Sequence, residues 1–208
     1  MSSPEAQAIL DRFDVSRESR EKIEIYVKLL LTWQQRINLI GPATVGSVWQ
    51  RHVCDSLQLL PLLPSGTTRI AELGSGAGIP GLMLAMTADL EAYLYESNGK
   101  KAAFLREAAR LTGTRATIFN IRLESLAGKT GVPRVDCVVA RALAPLPLLL
   151  DYAAPFLSQG SIGLFHKGQD VDAELTEATK YWRMDVLKHA SKCDSRGVIL
   201  EIREATRV

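Results

Sequence analysis

Glu72-Leu73-Gly74-Ser75-Gly76-Ala77-Gly78-Ile79-Pro80-Gly81 is the stretch that decides how this chain folds. It follows an apolar run at residues 69–73 that reads as a strand, and it opens a helical pattern at 80–88. Pro80 suits a first helical turn, where no N–H is needed and φ is preset. Glycines let a backbone turn tightly and come close to a ligand. The helix start then offers unpaired N–H groups to an anionic or polar group. The bland alternative is a glycine turn with no ligand. Glycine this dense weakens packing unless something needs it.

Outward from the loop, short apolar runs alternate with helical patterns. Residues 91–96 read as a strand, 99–111 as a helix closed by Gly113, and 115–119 as a strand. Residues 135–140 are almost continuously apolar, as expected of a strand covered on both faces. Residues 147–157 read as a helix and 161–166 as a strand. In 170–182, Val171, Leu175, Ala178 and Tyr181 recur at helical spacing. Two last runs, 184–189 and 197–202, flank a polar turn and fit an antiparallel pair. The prediction for residues 65–208 is a doubly wound α/β domain. Its sheet is mostly parallel with an antiparallel hairpin at the C-terminal edge, and ligands bind at the carboxyl ends of the strands.

Residues 1–64 read as a helical extension. After Ser16, a fitting N-cap, Ile23, Tyr26, Val27, Leu30, Trp33 and Ile37 form one apolar stripe that Gly41-Pro42 ends. A second stripe of Val45, Trp49, Val53, Leu57 and Leu60 predicts a helix over 45–60. Trp33 and Trp49 fall on these apolar faces, where core packing is the first reading and base stacking the second.

Composition bounds the class. Across 208 residues, 47% are hydrophobic and 23% charged, which excludes a mostly disordered chain. A net charge of +2 permits a nucleic-acid partner without demanding one. Cys54, Cys137 and Cys193 are odd in number, widely spaced and without a Cys-x-x-Cys, so neither a disulfide framework nor a zinc site is expected. His52, His166 and His189 are too scattered to suggest a metal. The N-terminal residues lack a basic start and an apolar run, and the longest apolar stretch, 142–150, is too short to span a bilayer. The expectation is a cytoplasmic protein without a membrane partner.

Two readings of the glycine loop compete. Gly76-x-Gly78-x-x-Gly81, with Glu96 further on, satisfies the dinucleotide pattern of a nicotinamide-dependent oxidoreductase. Gly74-x-Gly76-x-Gly78, with Glu72 two residues earlier, resembles motif I of class I S-adenosylmethionine methyltransferases. A carboxylate so close to a pyrophosphate is unfavourable, which favours the methyl donor. Glu96 would hold ribose hydroxyls in either case.

Further motifs follow in order: Arg36-Ile-Asn-Leu-Ile40; Arg51-His52-Val-Cys-Asp55-Ser56-Leu57; Glu96-Ser97 with Lys100-Lys101 and Phe104-Leu105; Arg122-Leu123-Glu124; Ala140-Arg141-Ala142 with Ala144-Pro145-Leu146; His166-Lys167-Gly168. Together with the loop they resemble the RsmG family, also called glucose-inhibited division protein B, over nearly the whole chain. Departures are small. The family more often has Asp at 72 and 96, Phe at 79 and Ala at 123, where this chain has Glu72, Glu96, Ile79 and Leu123.

The resemblance implies a Rossmann-like class I methyltransferase that moves a methyl group from S-adenosylmethionine to guanine N7 at the position conventionally numbered 527 of 16S rRNA. S-adenosylhomocysteine would be the product. The small ribosomal subunit or an assembly intermediate would be the partner, and the enzyme a monomer without metal. It places the cofactor at Glu72, Gly74, Gly76, Gly78, Ile79, Glu96, Ser97, Leu123, Glu124 and Arg141. Arg141 and Lys167 are the candidates at the reacting centre. His52 and Asp55, three apart on one helical face, would meet RNA or else form a buried polar pair. Lys100 and Lys101 would meet phosphates or else belong to a solvated face. A non-catalytic ribosome-assembly factor that keeps a cofactor pocket is the alternative of a different class.

Overall fold

The computed structural model describes residues 3–126 and 131–208. Seven strands form one sheet in the order β3-β2-β1-β4-β5-β7-β6. They are β1 (Arg69–Leu73), β2 (Glu91–Tyr95), β3 (Ala116–Phe119), β4 (Cys137–Arg141), β5 (Ile162–Lys167), β6 (Trp182–Ala190) and β7 (Val198–Arg207). β1 to β5 are parallel to one another, with Leu73 level with Tyr95 on one side and Ala140 on the other. β6 and β7 run antiparallel at the edge, as the two final runs predict. β1 ends beside the point where the chain changes direction from β3-β2 to β4-β5, so the glycine loop occupies the switch point of the sheet.

Helices cover both faces. The first two, α1 (Pro4–Arg12) and α2 (Arg17–Gln34), lie in the extension, followed by a single helical turn α3 (Asp55–Leu57). Next come α4 (Gly81–Thr87), α5 (Gly99–Thr112), α6 (Leu146–Leu157) and α7 (Val171–Ala178). Ile23, Tyr26 and Leu30 of α2 share one buried core with Leu82 of α4 and Phe104 of α5. Leu150 and Phe156 of α6 pack on the other face with Val138, Phe165 and Leu200. Burying one such side chain contributes about 1.5–3 kcal/mol, so the extension is held by the same core that builds the sheet domain.

Ser16 caps α2 as expected, its Oγ accepting the Ser19 N–H at 3.2 Å. The helix stops earlier than Ile37. Gln34 folds its carboxamide back, accepting the N–H groups of Leu39 and Ile40 and donating to the Ile40 carbonyl. The expected helix over 45–60 is instead a series of shorter turns: a 3-10 helix at Pro42–Ser47, a π-helix at Trp49–Cys54, then α3 and a 3-10 turn at Leu60–Leu62. The apolar spacing is satisfied by all of these, and the wide π turn brings His52 inward. α7 is also shorter than predicted, because Trp182 already begins β6.

The cysteines give a second correction. Cys54 and Cys193 form a disulfide, with Cα atoms 6.2 Å apart and 139 residues between them in the chain. Cys137 is the buried free thiol of the central strand β4. An odd count conceals a pair when the third cysteine is a core residue, and distance in sequence sets no limit on distance in the fold.

Candidate active site

β1 delivers the chain into the glycine loop, and hydrogen bonds fix its shape. The Ser75 N–H donates to the Tyr95 carbonyl at 2.9 Å, and the Gly78 N–H to the Ser75 carbonyl at 2.6 Å. Gly76 has φ of +54°, and a Cβ there would meet only the Gly74 carbonyl, at 3.9 Å. The space in front of Gly76 is therefore open to a ligand. Gly81 has the opposite reason: a Cβ would come within 2.8 Å of the Glu72 side chain.

Glu96 closes the loop from the end of β2. Its Oε2 accepts the Gly76 N–H and its Oε1 the Asn98 N–H, both at 2.7 Å. Asn120 locks this corner by donating to the carbonyls of Glu96 and Ser97. Gly74, Gly76, Glu96, Ser97, Leu123 and Glu124 line a cavity of about 330 Å³, within the range of ordinary small-ligand sites, about 300–1,000 Å³. Sequence reasoning missed Tyr95, Leu143 and Tyr152 in the same wall. Tyr95 was detectable as the residue before Glu96. Tyr152 reaches in from α6 and donates to Glu124 at 3.0 Å.

Glu72, Gly78 and Ile79 stand behind the loop. Ile79 is a core residue, and a Cβ on Gly78 would strike Leu82 and Leu105. Glu72 is 1% exposed, and neither carboxylate oxygen reaches hydrogen-bond geometry. Burial pushes its pKa up to about 8; the nearby Gly81 N–H and Ser75 hydroxyl offset only part of that.

A second cluster lies at the carboxyl ends of β4 and β5. Arg141 Nη2 donates to His52 Nδ1 at 3.1 Å, and Nη1 stands 3.2 Å from Asp55 Oδ2. Nη1 is buried, and its contact with Asp55 is an ion pair outside ideal hydrogen-bond geometry. Burial pulls His52 down to about 4, with the Arg141 and Arg51 charges adding to the effect. The ring is neutral at neutral pH. Because Nδ1 accepts from Arg141, Nε2 carries the hydrogen and donates to Thr44 Oγ1 at 2.8 Å. His166 Nε2 donates to the Asp55 carbonyl at 2.9 Å. Arg141 is thus gripped between the extension and the sheet.

Lys167, 6% exposed at its side chain, donates to the Ala144 carbonyl at 2.8 Å and to Glu174 at 2.6 Å. Its ammonium is engaged inside the protein and holds the segment after β4 in place. Ala142 in that segment has φ of +51°, a left-handed conformation costing a side-chain-bearing residue about 1–3 kcal/mol. The turn separates Arg141, on one side, from Leu143 beside Gly74, on the other. Leu143 and Ala144 line both the glycine-loop cavity and a neighbouring one that also contains Arg141 and Lys167. That second cavity shares Arg141, His166 and Lys167 with a third, about 380 Å³, bounded by Arg51 and Asp194. The three make one groove along the strand ends. Lys101 lines the glycine-loop cavity, whereas Lys100 is exposed on α5.

A glycine loop and an acid-ended β2 at the switch point of a sheet with this strand order define a class I methyltransferase fold. Solved structures agree at the level of fold. M. jannaschii TYW2 in complex with AdoMet matches with a TM-score of 0.57 at 12% identity, over 84% of this chain and 80% of that one. The ribosomal protein L11 methylase of Lactobacillus delbrueckii subsp. bulgaricus matches with a TM-score of 0.55 at 20% identity, over 74% and 79%.

The chain belongs to the family GidB, rRNA small subunit methyltransferase G, whose family model matches residues 19–199. The Ribosomal RNA small subunit methyltransferase G of Rhodospirillum rubrum is 51% identical over 93% of this chain and 94% of its own length. That of Nitrobacter hamburgensis is 46% identical over 100% of this chain and 80% of its own length. Among the described residues, no helix is long and apolar enough to cross a membrane, and no group of His, Cys, Asp and Glu could hold a metal ion.

Proposed function

We propose that this chain methylates N7 of the guanine conventionally numbered 527 in 16S rRNA, with S-adenosylmethionine as donor and S-adenosylhomocysteine as product. One observation carries the reading. A cofactor-sized cavity at the glycine loop opens, through Leu143 and Ala144, onto a groove lined by Arg141, the guanidinium held there by His52 and Asp55.

The residues present fit the methyl donor. Gly76 leaves open space where a bulkier residue would stand. Glu96 sits where ribose hydroxyls would be received, and Leu123, Tyr95 and Leu143 give the apolar walls an adenine needs. Ser97 and Glu124 line the same cavity. Gly78, Ile79 and Gly81 support the loop from behind, and Glu72 adds a buried acid beneath it. When bound, S-adenosylmethionine supplies an electrophilic methyl group on a sulfonium.

Guanine N7 carries a lone pair and no proton, so no general base is required. The protein's task is positioning and charge tolerance. Guanine presents O6 beside N7 as a second acceptor. Arg141 lines the groove and is the cation suited to donate to O6 and so turn N7 towards the cofactor cavity. His52 and Asp55 act on RNA through Arg141, by fixing its plane. Lys167 acts by holding Ala144. Lys101, at the glycine-loop cavity, and the exposed Lys100 are the residues that would meet RNA phosphates. The working partner is the small subunit or its assembly intermediate, in the cytoplasm, with the enzyme a monomer.

Titration with S-adenosylmethionine and with NAD(P), followed by transfer of labelled methyl groups to small subunits lacking the mark, tests this reading. It predicts binding of the first ligand only, and transfer to the 16S rRNA. Binding without transfer would support an assembly factor instead.

A further inference from the structure

The segment 49–58 carries Arg51, His52 and Asp55, and the turn 191–197 joins β6 to β7. They face each other across the groove and are joined by several bonds at once. Gln50 donates to the Cys193 carbonyl at 3.2 Å, and Arg51 pairs with Asp194 at 2.5 Å. Gln58 Oε1 accepts from the Lys192 N–H at 2.7 Å and from Ser191 Oγ at 3.2 Å. The Cys54–Cys193 disulfide is the covalent member of this set. Cys54 is fully buried, whereas Cys193 is partly exposed and lines the groove.

We propose that Cys54 and Cys193 are a thiol–disulfide exchange site that latches the groove in response to low-molecular-weight thiols and disulfides. The latch rests on the groove being the rRNA site, as proposed above; the exchange chemistry does not. To open, an external thiolate attacks the sulfur of Cys193, the partly exposed partner, and Cys54 leaves as a thiolate. A second external thiol attacks the external sulfur of the mixed disulfide. That releases Cys193 and one molecule of external disulfide. Closing is the reverse: two protein thiols plus one external disulfide give the protein disulfide and two external thiols. Two electrons pass from the cysteines to the external disulfide.

The geometry sets the direction of control. An rRNA loop must present a splayed base, which needs room along the groove. With the disulfide closed, the turn cannot move aside and the Arg51 cation stays spent on Asp194. With it open, only noncovalent contacts hold the turn, and Arg51 is released to phosphate when the turn swings out. The glycine-loop cavity has no wall from either segment, so cofactor binding is independent of the latch.

The test equilibrates the full chain in glutathione buffers of graded composition and alkylates it under denaturing conditions with N-ethylmaleimide. Of the three cysteines, all take label in the reduced form and only Cys137 in the oxidised form. The oxidised form should show slower amide hydrogen exchange at 191–197 and a KM for small subunits raised by about fivefold or more. Its affinity for S-adenosylmethionine should be unchanged, and dithiothreitol should reverse the effect. Cys193→Ser should lose all redox response. Full labelling in every buffer overturns the exchange site. A disulfide that alters neither exchange nor KM overturns the latch. If neither form transfers methyl groups, the proposed function fails, while the label count still decides the exchange site.

Discussion

The Tyr26 hydroxyl donates a 2.6 Å hydrogen bond to the backbone carbonyl of Ala77, inside the glycine loop. The ring that carries it packs edge-on against Phe104 of α5. The extension therefore reaches the glycine loop directly. Tyr26→Phe keeps the ring but leaves a buried carbonyl unpaired, a loss of about 1–3 kcal/mol. The expected outcome is a folded protein with a lower Tm and weaker S-adenosylmethionine binding by calorimetry. Unchanged affinity would show that the loop does not depend on the extension.

Arg141 joins His52 and Asp55 on one side of the Ala142 turn. Arg141→Lys keeps the charge but cannot span both partners with a planar fork. Methyl transfer to small subunits should fall by about 10²-fold, the scale of a small misplacement at a reacting centre. S-adenosylmethionine affinity should stay within about twofold, since the side chain lies outside the glycine-loop cavity. Arg141→Ala should give at least as large a loss of transfer. Near-wild-type transfer by either folded variant would remove Arg141 from the reacting centre.

Gly76 separates folding from binding. An added Cβ meets almost nothing in the free protein, so Gly76→Ala costs only the backbone preference at positive φ, about 1–2 kcal/mol. It projects into the space assigned to the cofactor. The affinity for S-adenosylmethionine should drop by more than about tenfold while the fold persists. Wild-type affinity would place the cofactor elsewhere.

The buried Glu72 gives a pH signature. Its folded pKa, about 8, lies above the ordinary 4.5, so the folded chain holds a proton that the unfolded chain releases. The stability this proton contributes is complete below pH 4.5 and is lost as pH rises towards 8. Glu72→Gln, which cannot ionise, should melt above the wild type near pH 8 and lose that advantage near pH 4.5. Thermal melts without cofactor check this. A pH-independent difference would mean that Glu72 is ionised in the fold.

The legible parts of this molecule are those set by local chemistry. The glycine loop, the alternation of strands and helices, and the edge hairpin all follow from short-range pattern. Gly76 and Glu96 are legible as neighbours because a glycine loop imposes fixed spacing around a strand end, and the Glu96 carboxylate does accept the Gly76 N–H. The π turn at Trp49–Cys54 was not, because its apolar residues also satisfy an α-helix. The pairing of Lys167 with Glu174, and of Arg141 with His52, depends on which strand ends meet. No spacing encodes that. The Cys54–Cys193 bridge was hidden for the same reason, since it joins the extension to the last hairpin.

Mapping N7-methylguanine in 16S rRNA, with and without this protein, tests the central claim most directly. Small subunits lacking the mark would be incubated with the protein and S-adenosylmethionine, then read by cleavage at methylated guanines. The account predicts one new site, at the guanine numbered 527, absent when Arg141→Ala replaces the wild type. Methylation at another base, or at none by a protein that binds S-adenosylmethionine, would contradict it.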